Sequence, residues 1–417
     1  MKKAYIFFYL LIFIVSTSFL FSQSKIISNT KLEKVIEPKL YSEKTLFKKA
    51  AKKQFLEDFE AFVYFFSTSY IAYDEMVESG FVLDDFIFSI RNKIEKDLIK
   101  TSDELIKNIY DELKRYICDS HFVIAGQDCV YNFNPNLLGQ KTSLSNGFEM
   151  TTNSNSIYLN LPIFLPEFFS ENLMAKEYFE KVYAEFKNIQ KKKYLIIDLR
   201  NCPGGVTDYP LLLLYSLYMG TELVIPSKIY DAWHLESETI YRTSKSIETP
   251  VTESLRYQRA IYTEGNKFEE NFRTSLVMQI KNPKRIVRGY NSKIAKEIHK
   301  PAYQGKIIFL TNNKTASAAE SLILFGKNLF SKNIKIIGEN TMGCLTYIDV
   351  FQIIMPNNSF AVSMAFKSIE ESLKLFDCWK GECIGIQPDI ICSDEDVLPI
   401  LKKITKDKKL RFENDEK

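Results

Sequence analysis

An α/β core preceded by a smaller helical domain is the architecture this sequence predicts. Through the first hundred or so residues the apolar side chains recur at helical spacing. From about residue 150 short apolar runs, bounded by turn residues, alternate with helical segments. A chain of 417 residues that is 46% hydrophobic can bury one large core or two moderate ones. Its 55 Lys and Arg nearly balance 52 Asp and Glu, so charge gives no reason to expect nucleic acid as a partner.

The N-terminus reads as a secretory signal over residues 1–23. Lys2 and Lys3 precede an apolar run from Ala4 to Val15, followed by Ser16, Thr17 and Ser18 and a polar turnover at Ser22-Gln23-Ser24. The other reading is an uncleaved anchor, since the run approaches the ~17–25 residues of a spanning helix. The mature chain is expected to be exported, periplasmic or extracellular, with no membrane association after cleavage.

Export permits disulfides. The seven cysteines are Cys118, Cys129, Cys202, Cys344, Cys378, Cys383 and Cys392, an odd number that leaves at least one free or paired elsewhere. Cys378 with Cys383, and Cys118 with Cys129, are near enough in sequence to close small loops. No Cys-x-x-Cys occurs and His121, His234 and His299 are scattered, so neither a metal nor another cofactor is expected.

The helical domain is expected over residues 24–120. Its apolar stripes are Phe55, Phe59, Phe62 and Val63, then Phe86, Ile87 and Ile90, then Leu105, Ile109, Leu113 and Tyr116, and they read as core. The α/β core is expected over residues 150–400. Strands fall at Ser156–Leu161, Tyr194–Leu199, Lys306–Leu310 and Ile334–Ile337, with helices such as Tyr209–Tyr218 and Ala316–Phe330 between them. A stretch of mixed charge at about 220–304 breaks the alternation and reads as an insertion, with His234 and His299 as surface residues. Residues 402–417 read as a charged, frayed tail.

Two turns could carry chemistry. Thr315-Ala316-Ser317-Ala318-Ala319-Glu320 follows a strand and opens a helix, where a hydroxyl stands beside the free N–H groups of the first helical turn and small alanines leave room for a carbonyl. Taken alone it is equally an ordinary helix start in which Thr315 or Ser317 is a cap. Asp198-Leu199-Arg200-Asn201-Cys202-Pro203-Gly204-Gly205 ends another strand with glycines that permit close backbone approach. By itself it is as readily a tight turn with a buried Asp-Arg pair.

Taken in order, Leu195 to Arg200 with Pro203-Gly204-Gly205, Thr315 to Glu320, and Gly338-Glu339-Asn340-Thr341-Met342-Gly343 resemble three successive signatures of one superfamily. It holds the tail-specific C-terminal-processing peptidases, the tricorn core peptidases and interphotoreceptor retinoid-binding protein. Gly385-Ile386-Gln387-Pro388-Asp389-Ile390 is similar to the segment that closes its catalytic core. The resemblance covers roughly Ser156 to Cys392 and implies a ClpP/crotonase-like sheet core and a serine peptidase acting on peptide or protein substrates. In tail-specific members a lysine follows the third signature and deprotonates the serine; here Cys344 stands there, so that dyad is missing.

The tricorn-like branch uses a histidine preceded by serine and a late glutamate, which Asp119-Ser120-His121-Phe122 and Glu382 match. The resemblance therefore implies Ser317 as nucleophile, His121 as general base and then acid, and Ser120 and Glu382 as polarising partners. Glu339, Glu320 and Asp377 stay open as substitutes for Glu382. The backbone N–H of Ala318 with one from Gly204 or Gly205 would form the oxyanion hole. Only about thirty residues separate Phe122 from Asn153, too few for the PDZ module of many members. The alternatives are an inactive peptide- or apolar-ligand-binding protein on the same fold, or a surface-interaction protein working through its helical region. The oligomeric state is left open.

Overall fold

In the computed structural model the described residues are 52–135, 148–164, 173–205, 208–220, 251–253, 286–288, 301–355, 357, 359–374 and 376–410. The expected signal segment, His234 and His299 lie outside them, as does most of the expected insertion. In chain order the helices are α1 (Lys52–Ser69), α2 (Tyr73–Glu78), α3 (Leu83–Glu95), α4 (Ser102–Leu113), α5 (Leu173–Lys191), α6 (Asp208–Met219), α7 (Ala318–Phe330) and α8 (Val397–Thr405). The strands are β1 (Val123–Ala125), β2 (Val130–Asn132), β3 (Glu149–Thr152), β4 (Ser156–Asn160), β5 (Tyr194–Asp198), β6 (Val251–Glu253), β7 (Ile286–Arg288), β8 (Lys306–Thr311), β9 (Ile334–Gly338), β10 (Tyr347–Ile354), β11 (Ala361–Ser368) and β12 (Ile390–Ile391).

The chain forms two compact units, the first made of residues 1–139, 250–288 and 346–370 and the second of the remainder. In the first unit, α1 to α4 stand with a sheet of order β2-β1-β11-β6-β7, to which β10 adds by pairing with β11. Of the expected apolar stripes, Phe59, Phe62, Ile90, Leu105, Ile109 and Leu113 are fully excluded from solvent, together with Phe66 and Ile94, while Val63, Ile87 and Tyr116 pack against this core partly buried. α4 starts at Ser102 because Thr101 and Glu104 form a reciprocal capping box. The buried carboxylate of Asp58 on α1 accepts from the backbone N–H groups of Asn357 and Ser359 and from the Ser359 hydroxyl, so it anchors the β10–β11 turn.

In the second unit the sheet order is β12-β9-β8-β5-β4-β3. β4, β5, β8, β9 and β12 are parallel and β3 is an antiparallel edge. The strands are apolar on both sides, as a sheet covered on both faces requires: β5 is buried throughout and β8 is buried after Lys306. On one face Ile196, Ile308, Leu310 and Ile337 meet Val397, Leu401 and Leu410. On α7, Gly326 allows close helix-to-sheet packing, since a Cβ there would sit 2.7 Å from the Phe309 ring.

Two expectations are corrected. The start of the charged tail is folded: α8 runs to Thr405, and Leu410 is 1% exposed because it completes the core cluster under the sheet. The cysteine loops do not close, because Cys129 and Cys378 are free thiols and Cys118 and Cys383 are the disulfide-bonded residues. The Cys129 thiol instead donates to Asp103 at 3.2 Å.

Candidate active site

The parallel register aligns the C-terminal ends of the central strands: Asp198 stands opposite Leu310, and Thr311 opposite Gly338. The turns after β5, β8 and β9 therefore leave one edge of the sheet, which is where parallel α/β sheets place their ligands. The first two turns are stitched together. The Thr315 hydroxyl donates to the Leu199 carbonyl at 2.8 Å, the Ala316 N–H to the Cys202 carbonyl at 2.9 Å, and the Asn201 N–H to Asn312 Oδ1 at 3.0 Å. Beneath them Asp198 is buried, gripped by the Arg200 guanidinium at 2.6 Å and by the Tyr158 hydroxyl at 2.8 Å. Burial pushes the Tyr158 hydroxyl well above its ordinary pKa. The buried Asp-Arg pair and the glycine turn thus coexist.

Ser317 occupies the joint between β8 and α7 with φ 51° and ψ −117°, a conformation that non-glycine residues rarely hold. It is partly exposed between the buried Ala316 and Ala318. Gly204 explains how the glycine turn reaches it. At φ 93° its Cα approaches so closely that a Cβ would lie 2.7 Å from both the Ala316 carbonyl oxygen and the Ala318 nitrogen, and 3.1 Å from Ser317 Cβ. Gly205 faces elsewhere, with its Cβ direction filled by the Phe164 carbonyl.

Glu320, one helical turn on from Ser317, is completely buried. Its Oε2 accepts from the Ser317 N–H at 2.9 Å and the Cys344 N–H at 2.8 Å; its Oε1 accepts from the Gly343 N–H at 2.9 Å and from the Thr341 hydroxyl. Desolvation raises its pKa, and these four donors oppose the rise. The sequence already offered Glu320 among the carboxylates near the site, and its Ser-x-x-Glu spacing is a capping-box pattern. Glu382 Oε2 accepts the Leu345 N–H at 3.1 Å, and Cys344 is 5% exposed.

Ser317, Glu320, Gly204, Gly205, Ala318 and Glu382 belong to the second unit; Ser120 and His121 belong to the first. There the segment after α4 is clamped from two sides. Asp119, fully buried, accepts the His121 N–H at 2.7 Å on Oδ1 and the Tyr70 hydroxyl at 3.1 Å on Oδ2. His121 Nδ1 is 4.0 Å from Asp119 Oδ1. Asn134 Nδ2 donates to Ser120 Oγ at 2.6 Å and Asn132 Nδ2 to the Ser120 carbonyl at 2.8 Å. Phe122 packs edge-on against Tyr70, with ring centroids 4.8 Å apart. Burial raises the Asp119 pKa to about 7. Sequence reasoning did not single out Tyr70, Asn132 or Asn134, because nothing local marks a residue whose role is to meet a loop. Among the described residues no group of three His, Cys, Asp or Glu side chains could hold a metal ion.

The sequence profile of Peptidase family S41 matches residues 158–392, more than half of the chain. The chain belongs to this family. The match spans the glycine turn, Ser317, the Thr341–Cys344 turn and Glu382 of this S41 protein. No curated protein matches its sequence. Solved structures similar to it include a lipoprotein from Streptococcus agalactiae, with 15% identity over 86% of this chain and 96% of that one and a TM-score of 0.45. Mature CPAF is 14% identical over 85% and 97% of the respective chains, with a TM-score of 0.48. The tricorn protease is 12% identical over 85% of this chain and 36% of its own, with a TM-score of 0.38.

Proposed function

We propose that this S41 protein is an exported serine peptidase that hydrolyses peptide bonds through an acyl-enzyme on Ser317, with His121 as general base. The observation that carries the reading is the conformation of Ser317 itself. A serine held at φ 51° between two small buried alanines, with the glycine turn packed against it, is kept in a costly conformation by its surroundings. An ordinary helix cap needs no such arrangement.

In this reading the Ser317 hydroxyl oxygen attacks the scissile carbonyl carbon while His121 takes its proton. The carbonyl oxygen becomes an oxyanion facing the Ala318 N–H, at the start of α7, and a backbone N–H of the glycine turn at Gly204 or Gly205. The C–N bond then breaks, and His121 returns the proton to the leaving amine. Water, deprotonated by the same imidazole, cleaves the acyl ester and restores Ser317. A neutral imidazole suits this work near pH 7. Cys344 occupies the position of the lysine base of tail-specific members, which favours a histidine in this chain. Ser120 and Glu382 would orient and polarise the base. Export is supported by the N-terminal pattern of Lys2, Lys3 and the apolar run, and by the disulfide-bonded Cys118 and Cys383.

The test is labelling of the folded mature chain with a fluorophosphonate at pH about 7.5, followed by peptide mapping. The reading expects the adduct on Ser317 and none in Ser317→Ala. A folded wild type that takes no adduct would turn the assignment to a ligand-binding protein on the same fold.

A further inference from the structure

Three of the four family-like segments converge on one side chain. Glu320 lies within the second; the third reaches it through Thr341, Gly343 and Cys344. The closing segment joins through Thr341, whose hydroxyl also accepts the Ile386 N–H at 2.6 Å, while Gly385 packs so tightly that a Cβ would stand 2.3 Å from the Thr341 carbonyl oxygen. The two carboxylate oxygens take two donors each; burial raises the pKa of the group and these four hydrogen bonds lower it. A carboxylate buried this completely is costly unless its acceptor sites are filled by fixed donors, so displacing any one of the three segments would leave it short of a donor.

One of the four donors is the N–H of Ser317, the residue with the strained backbone. We infer that Glu320 is a positioning residue for the nucleophile: its carboxylate holds the Ser317 amide and the Thr341–Cys344 turn in one fixed arrangement, and Ser317 reacts at its full rate only while that arrangement is intact. The inference rests on Ser317 being the nucleophile. It assigns Glu320 no contact with substrate and no proton transfer. It also commits the N–H groups of Ser317, Gly343 and Cys344 to the carboxylate, leaving Ala318 and the glycine turn to face an oxyanion.

The chemistry supplies an isosteric test. In Glu320→Gln the side-chain amide must turn its NH₂ toward at least one backbone N–H, because each carboxylate oxygen now accepts from one. Thr341→Val removes only the hydroxyl of the hub, whereas Thr341→Ser keeps it. The measurement is the rate of fluorophosphonate adduct formation on Ser317 per folded molecule, taken well below each variant's Tm. Misplacing a reacting group by an ångström costs about 10²-fold, and the expected result is a loss of about that size in Glu320→Gln. A loss of about tenfold is expected in Thr341→Val, with most of the rate restored in Thr341→Ser. A role confined to stability would lower Tm and leave the rate per folded molecule unmoved, and that result overturns the inference. If Glu320→Gln does not fold, the two Thr341 variants decide: equal rates for valine and serine overturn it. A folded wild type without an adduct defeats the nucleophile assignment together with this inference, whereas wild-type rates in both Glu320→Gln and Thr341→Val defeat this inference alone.

Discussion

Replacing Gly204 by alanine separates backbone strain from collision at Ser317, the proposed nucleophile, because the fold offers a matched control. Gly204 and Gly80 have nearly the same backbone angle, φ 93° and 98°. A methyl group at Gly80 meets nothing within 4 Å, whereas at Gly204 it falls 2.7 Å from the Ala316 oxygen and the Ala318 nitrogen. Both substitutions carry the cost of a positive φ for alanine, about 1–3 kcal/mol, which for domains of this size lowers Tm by about 2–4 °C per kcal/mol. Only Gly204→Ala must also displace backbone on both sides of Ser317. The turn has little freedom to yield, being held by Thr315 and by the Ala316 N–H. Misplacement of the serine or of the Ala318 donor costs about 10²–10³ in rate. The assay is adduct formation on Ser317 by a fluorophosphonate, scored against Tm for both variants. Gly204→Ala reacting as fast as Gly80→Ala at comparable Tm would refute the argument that this glycine sets the geometry of the site.

Asp119→Asn should alter how stability depends on pH. The folded pKa of Asp119 is about 7 against an ordinary 3.8, with burial as the main cause, Tyr70 and the His121 and Phe122 N–H groups opposing it and the nearby Glu75 adding to it. Between those two values the native state holds a proton that the unfolded chain has lost, so wild-type stability falls relative to the variant as pH rises from about 4 to about 7 and levels off above that. Tm measured across this range should show the gap opening in that direction, and a constant gap would contradict it. Alkylation in denaturant without reductant should modify Cys129, Cys202, Cys344, Cys378 and Cys392 and spare Cys118 and Cys383. Recovery of modified Cys118 or Cys383 by peptide mapping would count against the disulfide assignment.

The parallel core was the most legible part of the sequence because its strands are buried on both faces and therefore read as unbroken apolar runs. β5, β8 and β9 fall at the expected runs, each extending at most one residue beyond them or ending one short. α7 begins at Ala318 rather than at Ala316, since Ser317 is bent out of helical geometry. The sheet of the first unit was not anticipated. Its pairing of Val123 with Ser363 joins segments far apart in the chain, and no local propensity records such a contact. The β10–β11 hairpin did leave a signal, in that Pro356-Asn357-Asn358 follows a run, Tyr347 to Ile354, rich in β-branched and aromatic residues. The charges of residues 402–410 mask the apolar side of α8, on which Val397 and Leu401 are buried. Ser317 stood out because Ser, Ala and Gly at a strand end restrict what the turn can do. Glu320 and Asp119 stood within the quoted motifs, but what each holds, and the meeting of Asp119 with Tyr70, depend on what they meet after folding.

The claim on which the account turns is that His121 activates Ser317. Its most direct measurement is the pH dependence of fluorophosphonate adduct formation on Ser317 in the wild type, His121→Ala and Cys344→Ala. The account predicts a wild-type rate that rises with pH as the base loses its proton. It predicts the same profile in Cys344→Ala and loss of both the rate and the titration in His121→Ala. A His121→Ala protein that is folded and keeps the wild-type rate and profile would contradict it.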